Sequence, residues 1–312
     1  TLLIFFIGNL VAVISPNFFV LFIARIIAAA SSSLLIVLCV VMAANIVEPK
    51  YRGRAIGIVN MGVSGSLVLG IPIGLTIGNA FGWRAPFLFI CVLTLFSIIG
   101  ISTLMGRVPP SKPLSLKKQL STLKYRKILF AHITTFLLLA GHTTFYAYLK
   151  PFAQTTMGLD GTWISIIYFL FGIAAVSGGA LGGTVSDRFG TKPAIYSVII
   201  IFSVAIFIIP YTTFLLPLFF VNMVIWGMMS WAITPPMQSY LMNVTPETAN
   251  IQVSLNNSAL HLGVAVGSTI GGIAIDVSTV EITPTVGGML AILSLGTIAL
   301  SMRAGSLQKE RY

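Results

Sequence analysis

Apolar residues occur in long blocks along the whole chain, and nearly all charges fall in the short segments between them. The blocks lie at about 1–14, 18–45, 54–79, 85–106, 128–150, 163–185, 192–210, 214–242, 251–276 and 284–303. All but the first approach or exceed the roughly 20 residues that a helix needs to cross bilayer hydrocarbon. They are continuously apolar, without the alternation of a transmembrane strand, so the pattern predicts helices rather than a barrel. Ten spans result, with Pro210, Pro217, Pro235 and Pro236 expected to kink or end helices locally.

Composition and charge extend this picture. Of the 312 residues 56% are apolar and 8% charged, with a mean hydropathy of +0.99, whereas soluble domains carry roughly 25% charged residues. The expected surroundings are a lipid bilayer. A net charge of +11 could suit a nucleic-acid partner if the cations clustered with stacking aromatics. They are instead spread over the loops, so no nucleic-acid partner is expected. One alternate set of loops holds fifteen Lys and Arg, the opposite set only Arg84 and Lys150, and Arg25 alone lies inside a span. Because cations are retained on the cytoplasmic side, the first set is placed there. Cys39 and Cys91 both fall in apolar blocks, with no paired spacing for a disulfide framework or a metal. Neither a metal nor another cofactor is expected.

The basic connection from Arg107 to Lys127, stiffened by Pro109, Pro110 and Pro113, divides the chain. The division reads as an N-terminal helical bundle over 1–106 with four spans, a cytoplasmic linker over 107–127 and a C-terminal six-helix bundle over 128–312. A shift of 197 residues sets Pro49 on Pro246, Asn60 on Asn257, Gly70 on Gly267 and Gly74 on Gly271, and lays span upon span between the halves. In this register the spans at 128–150 and 163–185 have no partner in the first half. Two helices, about 70 residues, are therefore expected upstream of Thr1 in a complete protein.

Candidate functional residues are few. All seven acids, Glu48, Asp160, Asp187, Glu247, Asp276, Glu281 and Glu310, fall outside the spans or at their interface ends, so no carboxylate is embedded there to carry a proton. Arg25 is the single cation within a span. It is expected either to face a cavity or to snorkel to the outer headgroups. The run Gly182-Gly183-Thr184-Val185-Ser186-Asp187-Arg188-Phe189-Gly190-Thr191-Lys192 closes one span and opens the next. Its glycines permit a tight turn and close helix approach, and Asp187 and Arg188 could bridge helix ends; a short charged loop is the plainer reading. Gly70, Pro72 and Gly74 give one helix a small face and a proline break, suited to packing or to sealing a pathway. Polar and aromatic groups recur in three spans: His132, His142, Thr143, Thr144, Tyr146 and Tyr148; Asn222, Trp226, Trp231 and Gln238; Asn256, Asn257 and His261. Such groups glue helices together or line a wet cavity. Among them His142 and His261 stand out, because imidazole titrates near neutrality. Trp83 and Arg84 read as anchors at the outer interface.

At these residues the chain resembles the major facilitator superfamily, in particular the bacterial twelve-span drug and metabolite:proton antiporter branch that includes sugar-efflux and purine-efflux-like transporters. Gly183, Asp187, Arg188, Gly190 and Lys192 match the second-half copy of the family's cytoplasmic loop motif, G-x-x-x-D-R-x-G-x-K, read there as a conformational latch. The stretch around Arg25 resembles the fourth-helix arginine motif, with Ala28 and Ala29 where a Gly is usual. Gly70, Pro72 and Gly74 resemble the fifth-helix antiporter motif, a sign of efflux. The resemblance implies an all-α polytopic membrane protein of two six-helix bundles, here about ten spans, working by alternating access around a midplane site. Arg25, His142, Tyr146, Trp231, Gln238, Asn256, Asn257 and His261 are then the expected substrate-cavity or coupling residues. The reading is a monomeric secondary transporter in the bacterial cytoplasmic membrane, exporting small organic solutes or drugs against a proton gradient. Its alternatives are a uniporter or uptake symporter, an inactive truncated product, and a membrane-embedded enzyme, for which the spans offer no nucleophile, metal cluster or carboxylate pair.

Overall fold

A computed structural model of the protein describes residues 1–46, 59, 62, 65–104, 121–245 and 248–304. Among them every regular element is helical. Eight helices are long and apolar enough to cross a membrane, and the shorter apolar stretches Leu2–Ile14 and Val68–Phe81 accompany them. The chain divides into two compact units, Thr1–Lys112 and Pro113–Tyr312. Pro49, Asn60, Pro246, the linker as far as residue 120 and the cations of the 50–54 loop lie outside the described residues.

The N-terminal unit contains α1 (Leu2–Ile14), α2 (Phe18–Ile46), α3 (Ile71–Phe81) and α4 (Ala85–Leu104). Small residues bring α1 and α2 together: Ala12, Ala24 and Ala28 are buried, and a methyl on Gly8 would come 3.0 Å from the Ala28 nitrogen. In a bilayer, where lipid is as apolar as leucine, such close backbone approach supplies the packing. It also accounts for Ala28 at a position where a glycine was expected, since Gly8 leaves room for its methyl. A π-helical turn, Ser66–Gly70, leads into α3. Pro72 is the reason: it has no N–H to give, and its ring clashes with the carbonyl four residues back, so the preceding turn widens. At the other end Arg84 donates to the Ser15 carbonyl at 2.9 Å and lies 4.2 Å over the Trp83 ring. The guanidinium thereby ties the α1–α2 turn to the α3–α4 turn.

The C-terminal unit contains α5 (Arg126–Tyr146), α6 (Leu149–Met157), α7 (Thr162–Phe189), α8 (Thr191–Ile208), α9 (Leu216–Ala232), α10 (Thr234–Val244), α11 (Ala249–Val277) and α12 (Thr283–Arg303). The span expected over 128–150 breaks at Ala147–Tyr148, where Pro151 cannot continue the hydrogen-bond ladder. The span expected over 214–242 breaks at Ile233, ahead of Pro235 and Pro236. Helix α5 packs along α11 and α12, while α7 packs along α9. Both seams use glycine where one helix meets the backbone of another. A side chain on Gly263, Gly267 or Gly271 would strike the α5 backbone at Phe136, Ala140 and Thr144, and one on Gly178 or Gly182 would strike α9 at Met228 and Ala232.

Candidate functional site

Helix α5 carries His132 and His142, whose spacing turns them roughly 80° apart around the helix. Each therefore meets different neighbours. His132 faces α11, where its Nε2 donates to Gln252 Oε1 at 3.0 Å and its Nδ1 accepts from Asn256 Nδ2 at 3.5 Å. The second Asn256 hydrogen goes to Thr135 Oγ1 at 2.8 Å, and Gln252 Nε2 donates to Thr248 Oγ1 at 3.3 Å. Donor and acceptor roles are mutually consistent for a neutral imidazole carrying its proton on Nε2. Gln252 and Asn256 stand one turn apart on one face of α11, which is why both reach the same ring.

His142 faces α7, α8 and α9 and is surrounded by rings. The Trp226 centroid is 4.9 Å away, Tyr146 5.1 Å, Phe171 5.7 Å and Phe202 6.3 Å. The planes of Tyr146 and Phe171 lie within 24° and 21° of the imidazole, and with centroids 4.6 Å from each other the two rings cover the same side of it. Phe145 and Tyr168 extend the cluster, Phe145 5.0 Å from Trp226 and Tyr168 5.7 Å from Tyr146. His142 is 5% exposed and Trp226 fully buried, yet His142 Nδ1 and Trp226 Nε1 have no hydrogen-bond partner among the described residues. Buried imidazole and indole nitrogens ordinarily find one. Tyr146, half-buried, forms the rim.

The remaining expected residues are distributed more widely. Asn257 and His261 are exposed on α11, away from the His132 network, while Trp231 and Gln238 are half-buried on α9 and α10. Thus Tyr146 and Asn256 join the two histidine clusters, and the aromatic partner of His142 is Trp226 rather than Trp231. Arg25 is exposed on α2, with its guanidinium 5.3 Å from the Phe87 ring centroid of α4. Gly70 ends the π-turn, and Pro72 and Gly74 open α3, where Thr76 Oγ1 donates to the Pro72 carbonyl at 2.9 Å.

The loop motif is mostly helix. α7 continues through Gly183, Asp187 and Arg188 to Phe189, and the turn consists of Gly190 alone at φ +89°, with Lys192 already in the first turn of α8. Only glycine adopts that backbone without strain. Asp187, Arg188 and Lys192 are exposed, and the Arg188 guanidinium lies 5.4 Å over its neighbour Phe189. The close approach to α9 comes from Gly182, one residue before the motif.

Gln252, Thr135, Phe171 and Phe202 belong to the two clusters and were not among the expected site residues. The four-residue spacing of Gln252 and Asn256 was a usable signal. Two phenylalanines in apolar spans carry none.

The comparisons with known proteins agree with this architecture. The sequence model of the Major Facilitator Superfamily matches residues 1–268. An uncharacterised MFS-type transporter of Bacillus subtilis, YbcL, is 30% identical over 294 residues, covering 93% of this chain and 75% of its own. The inner membrane transport protein YdhP of Escherichia coli is 27% identical over 303 residues, covering 96% of this chain and 77% of its own. Among solved structures, the human organic anion transporter MFSD10 superposes with a TM-score of 0.69 at 15% identity, over 95% of this chain and 75% of that one. A bacterial homologue of the human lysosomal transporter Spinster, inward-facing and unoccupied, also gives 0.69, at 14% identity over 100% and 83%. With its helical units, its membrane-length spans and these relatives, the chain belongs to the Major Facilitator Superfamily of multi-pass membrane transporters.

Proposed function

We propose that this protein exports small organic solutes or drugs from a bacterial cell by proton antiport through alternating access. The observation that carries the export reading is the Gly70-Ile71-Pro72-Ile73-Gly74 segment, in which a π-turn and a proline interrupt the helix at the position of the antiporter motif. The C-terminal unit offers the chemistry such a carrier needs: apolar and aromatic surface for an organic solute, and imidazoles and amides for polar recognition. The mechanism is that of a transporter without enzymatic chemistry, and the proton gradient is its driving force. YdhP is named an inner membrane transport protein, which supports a place in the bacterial cytoplasmic membrane. The working unit is a monomer.

A second reading, uniport or uptake symport, has one observation in its favour: all seven acidic residues lie outside the apolar blocks or, like Asp276, at the very end of one. One of the solved neighbours, at a TM-score of 0.63 and 12% identity, is a fucose:proton symporter, so the fold alone does not choose a direction. The experiment that separates these readings uses the protein in liposomes loaded with the pH dye pyranine. Sugars, nucleobases and the dye ethidium are added outside in turn, and luminal pH is followed with radiolabelled or fluorescent uptake of the same compound. Antiport predicts that an entering solute drives protons out and the lumen becomes alkaline. Acidification on entry would mean symport, and uptake with no pH change would mean uniport.

A further inference from the structure

We propose that His142 is a proton-binding site in the C-terminal unit, with the ring faces around it, in place of a carboxylate, holding the imidazolium. The inference rests on the proposed proton antiport for its role in transport, while the site itself stands on the geometry of α5, α7, α8 and α9.

Three observations converge on this ring. The first is the unpaired chemistry: His142 Nδ1 and Trp226 Nε1 are buried without partners. A histidine kept only to glue helices would be expected to spend both nitrogens, as His132 does on Gln252 and Asn256. A group kept only to fill space among phenylalanines would be better served by another phenylalanine, which has no polar atom to strand. The second is the cage. Trp226, Tyr146 and Phe171 lie within the roughly 6 Å at which a cation is attracted to a ring face, and indole is the strongest of such faces. Tyr146 and Phe171 stack near-parallel to the imidazole on one side of it, 4.6 Å from each other, with Trp226 beside them.

The third observation concerns charge. The titratable neighbours are Tyr146 on α5 and, behind it, Tyr168 on α7; Phe171, Phe202 and Trp226 complete the surroundings from α7, α8 and α9. The charged residues of these four helices stand at their ends, Arg126 and Lys127 on α5, Asp187 and Arg188 on α7, Lys192 on α8, and α9 has none. The protonated ring would therefore be the one positive charge within the cage, with ring quadrupoles as its counterpart. In the transport step the lone-pair nitrogen takes a proton from water on one side of the membrane and returns it to water on the other, with no other bond made or broken. The other histidines are less suited: both nitrogens of His132 are committed, and His261 is exposed on α11.

Trp226 supplies a reporter that needs no substrate, because an imidazolium at contact distance quenches indole fluorescence. The full chain in lipid nanodiscs, with Trp83, Trp163 and Trp231 changed to Phe, leaves Trp226 as the sole emitter. The expected result is a loss of Trp226 emission on acidification that follows a single-proton titration. His142→Gln should abolish the loss and His132→Gln should retain it. Emission independent of pH, or a titration that survives His142→Gln, overturns the proposal. A second measurement spares the cluster altogether: imidazole nitrogen chemical shifts in ¹⁵N-histidine-labelled protein, the three residues assigned through His132→Gln and His261→Gln. A His142 ring whose shifts do not move with pH would equally overturn it. The two readings separate in the liposome assay. A titrating Trp226 without solute-driven pH change leaves the proton site standing and removes antiport, whereas proton-coupled flux with a silent Trp226 assigns the proton elsewhere.

Discussion

His132 and His142 share a helix and are held in opposite ways. The first is fastened by hydrogen bonds to Gln252 and Asn256 of α11, and the second is packed against Tyr146, Phe171, Phe202 and Trp226 with a nitrogen left over. The difference follows from rotation around α5, which points one ring at a polar face and the other at aromatic ones. A paired imidazole fixes a tautomer and a helix contact, and gaining a proton would set a new N–H against the Asn256 amide hydrogens. An unpaired imidazole has no such conflict. One end of α5 is thus built to stay as it is, and the other is where the proposed proton would bind.

The largest expected effect comes from opening the seam between α5 and α11. Gly267→Val would drive a branched side chain into the α5 backbone at Ala140. Backbone cannot swing aside as a side chain can, so a loss of about 3 kcal/mol is expected. The control is Gly179→Ala on α7, where nothing stands within 4 Å of the added methyl. Thermal unfolding in detergent should show a much lower midpoint for the first and no loss for the second. Equal midpoints would mean that the α5–α11 contact is looser than described.

Much of this arrangement was readable from residue order, and the part that was not has a definite cause. Span positions follow from block length, because hydrocarbon thickness sets a narrow range. The proline at 72 and the glycine at 190 announce a distorted turn and a tight junction, since backbone geometry leaves them few alternatives. Helix α7 nevertheless runs on to Phe189, through residues read as a loop, because Asp187 and Arg188 can sit at a helix end as readily as beyond it. The contrast between the histidines was hidden altogether. Among the expected cavity residues His142 had Tyr146 beside it but neither Trp226 nor Phe171, and Asn256 lacked His132, for which face of α5 meets α7 and which meets α11 depends on contacts far apart in sequence.

Substituting each histidine by phenylalanine tests the contrast directly. His132→Phe strands Gln252 and Asn256 in a buried seam, at an expected cost of about 1–2 kcal/mol. His142→Phe removes no hydrogen bond and extends an aromatic cluster, so stability should stay within about 1 kcal/mol of the parent. Urea or thermal unfolding of both variants in one detergent reads the difference. A larger loss for His142→Phe would reveal a hidden partner for its ring nitrogen. A smaller effect is expected from Tyr148→Phe, which deletes the hydroxyl donated to the Ser268 carbonyl at 2.9 Å. Interhelical hydrogen bonds of this kind average roughly 0.6 kcal/mol in membranes. Loss well beyond that figure would show that hydrogen bonds, rather than the Gly263, Gly267 and Gly271 packing, dominate the seam.

The smallest effect lies outside the membrane and provides a titration against which the buried clusters can be judged. Asp160, in the turn between α6 and α7, accepts from the Gly161 N–H at 2.7 Å and from Gln154 Nε2 at 3.1 Å. These donors, the Gly161 amide foremost, hold its carboxyl below the ordinary carboxylate range. A depressed value means that the folded state binds its proton later than the unfolded chain does. The contribution of the carboxylate is therefore present above about pH 4 and fades as pH falls through the lower folded value. Asp160→Asn should speed hydrogen exchange at the Gly161 amide at neutral pH, and the difference should shrink on acidification. Global unfolding should stay unchanged, because the residue is exposed and solvent screens its interactions. If Asp160→Asn also shifted the acid-dependent Trp226 signal, that signal would report the loop rather than His142, and the contrast between the two ends of α5 would fail.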